Sequence, residues 1–210
     1  MKNIQNLLKQ AINIYEYGSI VYGTYQEGIS DKDFVVVMPD ETISNGEQVS
    51  VDNEQYTFHS ESEWVKMLAD NDVCSVECAC LPQKHIVKQT KVFPVKFETS
   101  KIRSQFSAKA SNSWVKCKKK LTVKEDFAPR VGKKSLWHSL RILMFGIQLL
   151  QFGRIERYTC ANGYHNDIVN SETDDWNYFH EKYKPVYNKL KSDFRNLEKH
   201  SILDGDKYER

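Results

Sequence analysis

Apolar residues in the first part of the chain follow spacings that predict one helix and two strands. Residues 2–11 carry apolar side chains at helical intervals, which is typical of a short amphipathic helix. Residues 12–17 are mostly β-branched or aromatic and stop at Gly18, so we predict a strand there. Residues 33–38 form a nearly continuous apolar run, as in strands that are buried on both faces.

Three further elements are predicted before residue 98. Residues 49–59 alternate loosely between apolar and polar side chains, which indicates a third strand. Residues 60–68 begin with Ser60 and carry Glu63 three positions later, a signature of a capped helix N-terminus. Residues 73–81 are short and largely apolar, and we predict another strand for them.

The pattern changes after this point to helical spacing alone. Residues 102–121 place apolar side chains at steps of three and four, with lysines on the other side. A second, mostly apolar helix is predicted for residues 134–152, ending at Gly153. A third is predicted for residues 176–197, where Pro185 would end or kink the helix.

The predicted fold class is therefore α+β. Residues 1–98 are expected to form a core with a small mixed β-sheet flanked by helices, and residues 99–210 a helical C-terminal lobe. An apolar fraction of 40% and an aromatic fraction of 12% suit a folded protein, so we do not expect a disordered chain.

Composition indicates a soluble protein of a reducing compartment. The longest apolar stretch, residues 140–150, is interrupted by polar side chains and is too short to span a bilayer. No apolar run of signal-peptide type is present at the N-terminus, so we expect a cytoplasmic protein without membrane association. The cysteines lack zinc-finger spacing and are predicted to be free thiols: Cys74, Cys78, Cys80, Cys117 and Cys160.

Charge is distributed unevenly along the chain. The formal net charge is +2, but residues 101–134 contain eleven lysines and arginines against two acidic residues. Such an excess favours a polyanionic ligand, which would be a nucleoside triphosphate, RNA or DNA. A solvated lysine-rich helix surface would give the same pattern, so both interpretations stay open.

The first two predicted strands carry the residues that suggest chemistry. Gly18 and Ser19 follow the first strand, where a turn offers a hydroxyl and backbone N–H groups to a phosphate. Asp31 and Asp33 precede the second strand and are two residues apart, so their carboxylates can project to the same side. Paired carboxylates together with substrate phosphates are ligands that Mg²⁺ prefers.

Two competing motifs do not match the residues present. Residues 18–23 have the glycine spacing of a P-loop, but Thr24 stands where that motif requires a phosphate-binding lysine. A calcium-binding loop is excluded because Phe34 and Val35 follow the aspartates, where such a loop needs acidic residues and glycine.

Gly-Ser after a strand, followed by an Asp-x-Asp pair at the start of the next, resembles the signature of the DNA polymerase β-like nucleotidyltransferase superfamily. The stretches 22–24 and 30–31 resemble a subgroup of predicted nucleotidyltransferases associated with RNA repair. Later landmarks of that subgroup are Glu77, shortly before Leu81 and Pro82, and the run 133–141. The resemblance covers residues 15–165.

This resemblance implies transfer of a nucleoside monophosphate from an NTP, with release of pyrophosphate. It implies that Asp31 and Asp33 hold two Mg²⁺ ions, or Mn²⁺ in their place, and that a third carboxylate lies on a neighbouring strand. Asp52 and Glu54 are the candidates for this third position. If neither reaches the metal ions, the protein would bind nucleotide without efficient catalysis.

The helical lobe is expected to close the nucleotide cleft. Lys116 and Lys120 are one helical turn apart and could reach the β- and γ-phosphates. Lys134, His138 and Arg141 share one polar stripe on an otherwise apolar helix, which would suit a phosphate-lined cleft. A solvent-facing edge, or salt bridges to acidic residues, would explain this stripe equally well. With Gly18, Ser19 and Thr24, these side chains form the predicted nucleotide site.

The sequence leaves three functional hypotheses. The first is a nucleotidyltransferase with an RNA acceptor, involved in RNA or tRNA repair. The second keeps the same chemistry but transfers the nucleotide to a protein side chain or a small metabolite. The third is a nucleotide- or nucleic-acid-binding module with weak catalysis.

Overall fold

The computed structural model describes residues 4–197 and confirms the predicted α+β class. Two compact units follow one another along the chain, the first comprising residues up to Lys96 and the second beginning at Phe97. The predicted boundary, after residue 98, falls close to this division. Residues 2 and 3 of the predicted first helix, and residues 198–210 of the predicted helical lobe, lie outside the described part.

The first unit contains a five-stranded mixed sheet and four helices among its described residues. The order in the sheet is β3-β4-β2-β1-β5, with β2 and β4 parallel and the other neighbouring pairs antiparallel. In chain order the elements are α1 (Ile4–Gln10), β1 (Asn13–Tyr17), α2 (Ser19–Tyr22), β2 (Lys32–Met38), β3 (Gln48–Val51), β4 (Glu54–Ser60), α3 (Glu61–Ala69), α4 (Val73–Ala79) and β5 (Ile86–Gln89).

Both faces of the sheet are covered, which explains why β2 is apolar at nearly every position. On one face, α1 contributes Leu7 to a hydrophobic cluster that includes Val36, Met38 and Phe58. On the other face, Tyr15 of β1 stacks on Trp64 of α3 with ring centroids 5.7 Å apart. Alternate residues of β2 and β4 therefore face either α1 or the opposite side of the sheet.

Two predictions for the first unit were wrong. Residues 49–59 are not one strand, because Asp52 adopts a positive φ of 52° and the chain turns back into the hairpin of β3 and β4. Residues 73–81 do not form a strand either, since most of this segment is α4. The side chain of Asp72 caps α4 by accepting a hydrogen bond from the Cys74 N–H at 2.9 Å.

The helix predicted to start after Ser60 is confirmed, with the Ser60 hydroxyl accepting a hydrogen bond from the Glu63 N–H at 3.3 Å. The second unit is helical in its described residues, and its predicted helices are also confirmed. Pro185 lies within one continuous helix and does not end it. The elements are α5 (Thr99–Thr122), α6 (Pro129–Phe152), α7 (Asn162–Val169) and α8 (Trp176–Asn196).

None of the helices in residues 4–197 combines the length and apolar character needed to span a membrane. The five cysteines are all free, as the sequence predicted.

Candidate active site

Gly18 shapes the end of β1 and the approach to Asp33. Its φ of +66° is a conformation that favours glycine. A Cβ atom on Gly18 would lie only 2.1 Å from Oδ2 of Asp33, so no other residue fits without displacing that carboxylate. This close approach joins the two halves of the sequence motif, which are 15 positions apart in the chain.

Ser19 begins α2, a single short turn of helix. Its hydroxyl donates a hydrogen bond to the backbone oxygen of Asp31 at 3.4 Å, which is long for a bond between two oxygens. The turn is closed by the Thr24 N–H, which donates to the Ser19 carbonyl at 2.9 Å, and by Gly23 in the left-handed conformation. Ser19 is therefore held beside the aspartate segment through a bond that a phosphate oxygen could replace.

Asp31 directly precedes β2, and Asp33 is the second residue of that strand. Asp33 pairs with Tyr17 of β1, which places it at the end of that strand beside Gly18. Asp33 is partly buried, whereas Asp31 is exposed. One carboxylate of the pair is thus fixed by surrounding backbone, and the other faces solvent.

A buried hydrogen bond fastens α2 to the rest of the first unit. The Tyr22 hydroxyl donates to Oε2 of Glu77 in α4 at 2.6 Å, and both residues are about 1% exposed. The sequence singled out Glu77 as a family landmark. In the structure this carboxylate is buried and hydrogen-bonded to α2, and it does not face solvent.

The register of β2 and β4 determines which residue lies beside Asp33. Glu54 pairs with Lys32, and its carboxylate accepts a hydrogen bond from the Tyr56 hydroxyl. Because Tyr56 belongs to the cluster packed on α1, Glu54 lies on the opposite face of the sheet from Asp33.

Gln55 is the β4 residue directly beside Asp33, and its side chain reaches Gln48 of β3 at 3.4 Å. Asp52 is exposed in the β3–β4 turn. A neutral amide, and neither of the two predicted acids, therefore occupies the strand position next to Asp33. The sequence missed this because the register of a parallel strand pair is not visible from local patterns.

These residues supply only part of a metal site. Within residues 4–197 no group of three or more histidine, cysteine, aspartate or glutamate side chains is arranged to hold a metal ion. Asp31 and Asp33 offer carboxylate oxygens, which suit Mg²⁺ or Mn²⁺ when substrate phosphates and water complete the coordination. The donor set fits a metal ion that arrives with a phosphate ligand.

The predicted nucleotide-binding side chains of the helical unit differ in how available they are. Lys116 is exposed, and Lys134 and His138 are half-buried. Lys120 instead forms an ion pair at 3.3 Å with Asp126, a carboxylate that also pairs with Lys119 at 2.6 Å. Lys116 and Lys120 therefore do not act as a matched pair of free cations.

Arg141 does not share the surface position predicted for it. It is 3% exposed, and its guanidinium carbon lies 5.4 Å from the ring centre of Trp137 and 5.1 Å from that of Phe145. Cation–π contact compensates for part of the cost of removing this charge from water. The structure thus places Arg141 in the core of the helical unit, where a nucleotide cannot contact it in this conformation.

His138 lies in an unusually cationic environment. Burial lowers its pKa to about 4, and the charges of Lys134, Lys116, His165 and Lys109 act in the same direction. His138 is therefore neutral at physiological pH. The sequence did not relate Lys109 or His165 to His138, although Lys109 stands seven positions before Lys116 and so two helical turns away on the same face.

Comparison with known proteins gives one family match. Residues 1–121 match the model described as a nucleotidyltransferase domain, which is more than half of the chain. Among solved structures, one similar chain is a nucleotidyltransferase-like protein from Exiguobacterium sibiricum, at 11% sequence identity and a TM-score of 0.32. The similarity covers 92% of this chain and 75% of the other. Curated protein sequences give no match.

Proposed function

Because this chain belongs to the nucleotidyltransferase domain family, we propose that it transfers a nucleoside monophosphate from an NTP to a hydroxyl acceptor, releasing pyrophosphate. The observation that carries this proposal is the packing of Asp33 against Gly18. It fixes one carboxylate at the end of β1, two residues from Asp31, and Ser19 contacts the backbone of this segment.

Each residue of the site has a defined part in this proposal. Asp31 and Asp33 would hold Mg²⁺, or Mn²⁺, together with phosphate oxygens of the NTP. Such an ion would supply Lewis-acid chemistry at the phosphate and at the attacking hydroxyl. Ser19 exchanges its long bond to the Asp31 carbonyl for a phosphate oxygen and so orients the triphosphate. Gly18 leaves the space that this approach needs.

RNA is the acceptor we favour, and RNA or tRNA repair is the biological role that follows from the subgroup resemblance. The support for RNA is a set of lysines in residues 101–134 that remain without acidic partners in the described structure. Lys109 and Lys116 belong to this set. Lysines of this kind bind phosphate backbones without regard to sequence.

A specific observation favours a second candidate, a nucleotide-binding module with weak catalysis. The resemblance implies a third carboxylate on a strand beside the pair, and Gln55 occupies the position next to Asp33. An amide cannot accept a proton from a hydroxyl at neutral pH, and it adds no charge to bind a second metal ion. Under this candidate the site retains NTP but turns it over slowly.

Replacing Gln55 by an acid separates the two candidates. If the weak-catalysis candidate is correct, Gln55→Glu should raise turnover by about tenfold or more, since general-base assistance contributes on the order of 100-fold when fully developed. If the favoured function is correct, turnover should not rise. Gln48→Glu on the adjacent strand β3 is the control, because it adds the same charge further from Asp33. Equal rates for the two variants and the wild type would mean that Gln55 does not limit catalysis.

Incubation with labelled NTPs, Mg²⁺ and total RNA tests the choice of acceptor. Label on RNA supports the favoured function, label on the protein or on a small molecule supports the alternative acceptors, and bound but untransferred nucleotide supports the binding module. Asp33→Asn, assayed in parallel, identifies the label that depends on this site.

A further inference from the structure

The excess charge of residues 101–134 is only partly neutralised in the structure. Lys101 pairs with Glu98, Lys119 and Lys120 share Asp126, and the buried Lys133 pairs with Asp174 at 2.6 Å. In contrast, Lys109, Lys116 and Lys134 form no ion pair or side-chain hydrogen bond with any residue in the range 4–197.

The packing of α5 on α6 brings these three lysines to one region. The two helices run antiparallel, because a Cβ atom on Gly132 would lie 3.1 Å from Leu121, while Cys117, one turn earlier in α5, lies beside the backbone of Leu136. Lys116 then lies across from the turn of α6 that contains Lys134 and His138, and Lys109 follows two turns away on the same face of α5.

A third helix completes the cluster. His165 of α7 packs edge-on against Trp137 with ring centroids 4.8 Å apart, so it reaches the turn of α6 that carries His138. Five basic side chains from three helices therefore belong to this region, and four of them act electrostatically on His138: Lys109, Lys116, Lys134 and His165. We refer to these five side chains as the cationic cluster.

The cluster is exposed enough to contact a ligand. Lys109 and Lys116 are exposed, and Lys134 and His138 are half-buried. The charges of Lys109, Lys116 and Lys134 lack acidic partners among the described residues and repel one another, and a bound anion would relieve this repulsion. His138 is neutral and adds no further charge to the cluster.

We propose that the cationic cluster is a binding site for a phosphate chain, formed by Lys109, Lys116 and Lys134 as point charges beside the neutral side chain of His138. The choice of phosphate as the anion rests on the proposed function, whereas the affinity of the cluster for a polyanion does not. Either a nucleoside triphosphate or the backbone of a nucleic acid would supply this chemistry.

Binding of sodium tripolyphosphate to the full chain, measured calorimetrically at low salt without divalent metal, tests the proposal. We expect Lys116→Gln/Lys134→Gln to weaken binding by at least tenfold. The matched control is Lys118→Gln/Lys124→Gln, which removes the same charge from unpaired lysines of the same segment and should change the affinity by less than twofold. No binding by the wild type, or equal weakening in the two double variants, would overturn the proposal.

Two further ligands distinguish the sources of the phosphate. If the cluster serves the substrate, the double variant Lys116→Gln/Lys134→Gln weakens ATP binding but spares a single-stranded RNA oligonucleotide. If it serves a nucleic acid, the same variant weakens RNA binding and reduces its salt dependence by about 1.4 units of slope, near 0.7 for each phosphate that the variant no longer neutralises on a single strand. Each result supports a phosphate site, and an unchanged affinity for both ligands contradicts it.

This inference and the proposed function can fail separately. Transfer that depends on Asp33, in a protein that does not bind tripolyphosphate, would refute the cluster site alone. Tripolyphosphate binding that depends on the cluster, in a protein without transfer, would refute the proposed function alone.

Discussion

The carboxylate pair of the first unit and the cationic cluster of the second are assembled in opposite ways. Asp31 and Asp33 are two residues apart, and one strand end and one glycine position them. The cluster draws on residues from Lys109 to His165, which only the packing of three helices brings together. Both regions concentrate charge of one sign.

This difference shows what each kind of site requires from its ligand. The aspartates can relieve their repulsion by binding a cation, and the lysines by binding an anion. A metal-bound phosphate supplies both charges, so each region suits the same class of ligand for a different reason. Substitutions should therefore separate the two: changes at the aspartates should affect transfer, and changes at the lysines should affect phosphate affinity.

The largest expected effect is at the aspartates. Asp31→Asn and Asp33→Asn should each reduce transfer by about 100- to 1,000-fold, because each removes a ligand of the metal that stabilises the transition state. Metal-free tripolyphosphate binding should stay unchanged, and melting temperature should not fall, since crowded negative charge is relieved. More than a tenth of wild-type activity in either variant would refute the assignment.

Gly18→Ala comes next, because it moves Asp33 without changing its chemistry. The new Cβ would lie 2.1 Å from Oδ2 of Asp33, so we expect transfer to fall by roughly 10- to 100-fold. Gly28→Ala is a matched control, since Gly28 also has a positive φ but no atom within 4 Å of its Cβ position. Both variants should lose about 1 kcal/mol of stability from the backbone conformation, measured by urea unfolding.

If Gly18→Ala and Gly28→Ala both keep wild-type activity, the close approach of Gly18 to Asp33 does not matter for catalysis. A loss of activity in both would indicate a general effect of strain and would remove the argument for a specific fit.

The pH dependence of stability tests the environment of His138. Its pKa is lowered to about 4 in the folded state, so the unfolded chain takes up this proton first as the pH falls below about 6.5. The corresponding stability is present above pH 6.5 and is lost towards pH 4, at most about 3 kcal/mol. Besides burial, the groups responsible are Lys109 and Lys116 of α5, Lys134 of α6 and His165 of α7.

His138→Gln should flatten the decline in unfolding free energy between pH 6.5 and pH 4, as measured by urea unfolding at several pH values. Bound tripolyphosphate should also reduce the decline in the wild type, because the anion offsets the surrounding positive charge. Parallel curves for the variant and the wild type would show that His138 is not held neutral by its surroundings.

The smallest expected effect is at Ser19. Ser19→Ala removes a hydroxyl that would contact a charged phosphate, at a cost of about 1.5 kcal/mol or roughly tenfold in kcat/KM. The hydrogen bond from this hydroxyl to the Asp31 carbonyl is long, so stability should change little. Steady-state kinetics at saturating Mg²⁺ measure this effect, and an unchanged kcat/KM would leave Ser19 with a purely structural role.

The sequence predicted the long periodic helices and the strands β1 and β2 well, and it failed on residues 49–59 and 73–81. The helices α5, α6 and α8 carry enough repeats to reveal their period. The segment 73–81 is too short for a period to decide between strand and helix, and the decisive signal was the capping residue Asp72. A similar turn residue, Asp52, divides the predicted single strand 49–59.

The candidate site also contains residues that a local motif reveals and residues that only the fold brings together. Gly18, Ser19, Asp31 and Asp33 form a local motif, so the sequence could propose them together, and their roles remain predictions. Gln55 becomes relevant only through its register with β2. The spacing along α5 relates Lys109 to Lys116, but the proximity of Lys109 and His165 to His138 follows only from helix packing.

Transfer from NTPs labelled at either the α- or the γ-phosphate, compared between the wild type and Asp33→Asn, tests the central claim most directly. The account predicts that α-label enters the acceptor with one pyrophosphate released for each transfer, that γ-label does not, and that Asp33→Asn abolishes the incorporation. Incorporation of γ-label, or of α-label that persists in Asp33→Asn, would contradict nucleotidyl transfer at this site.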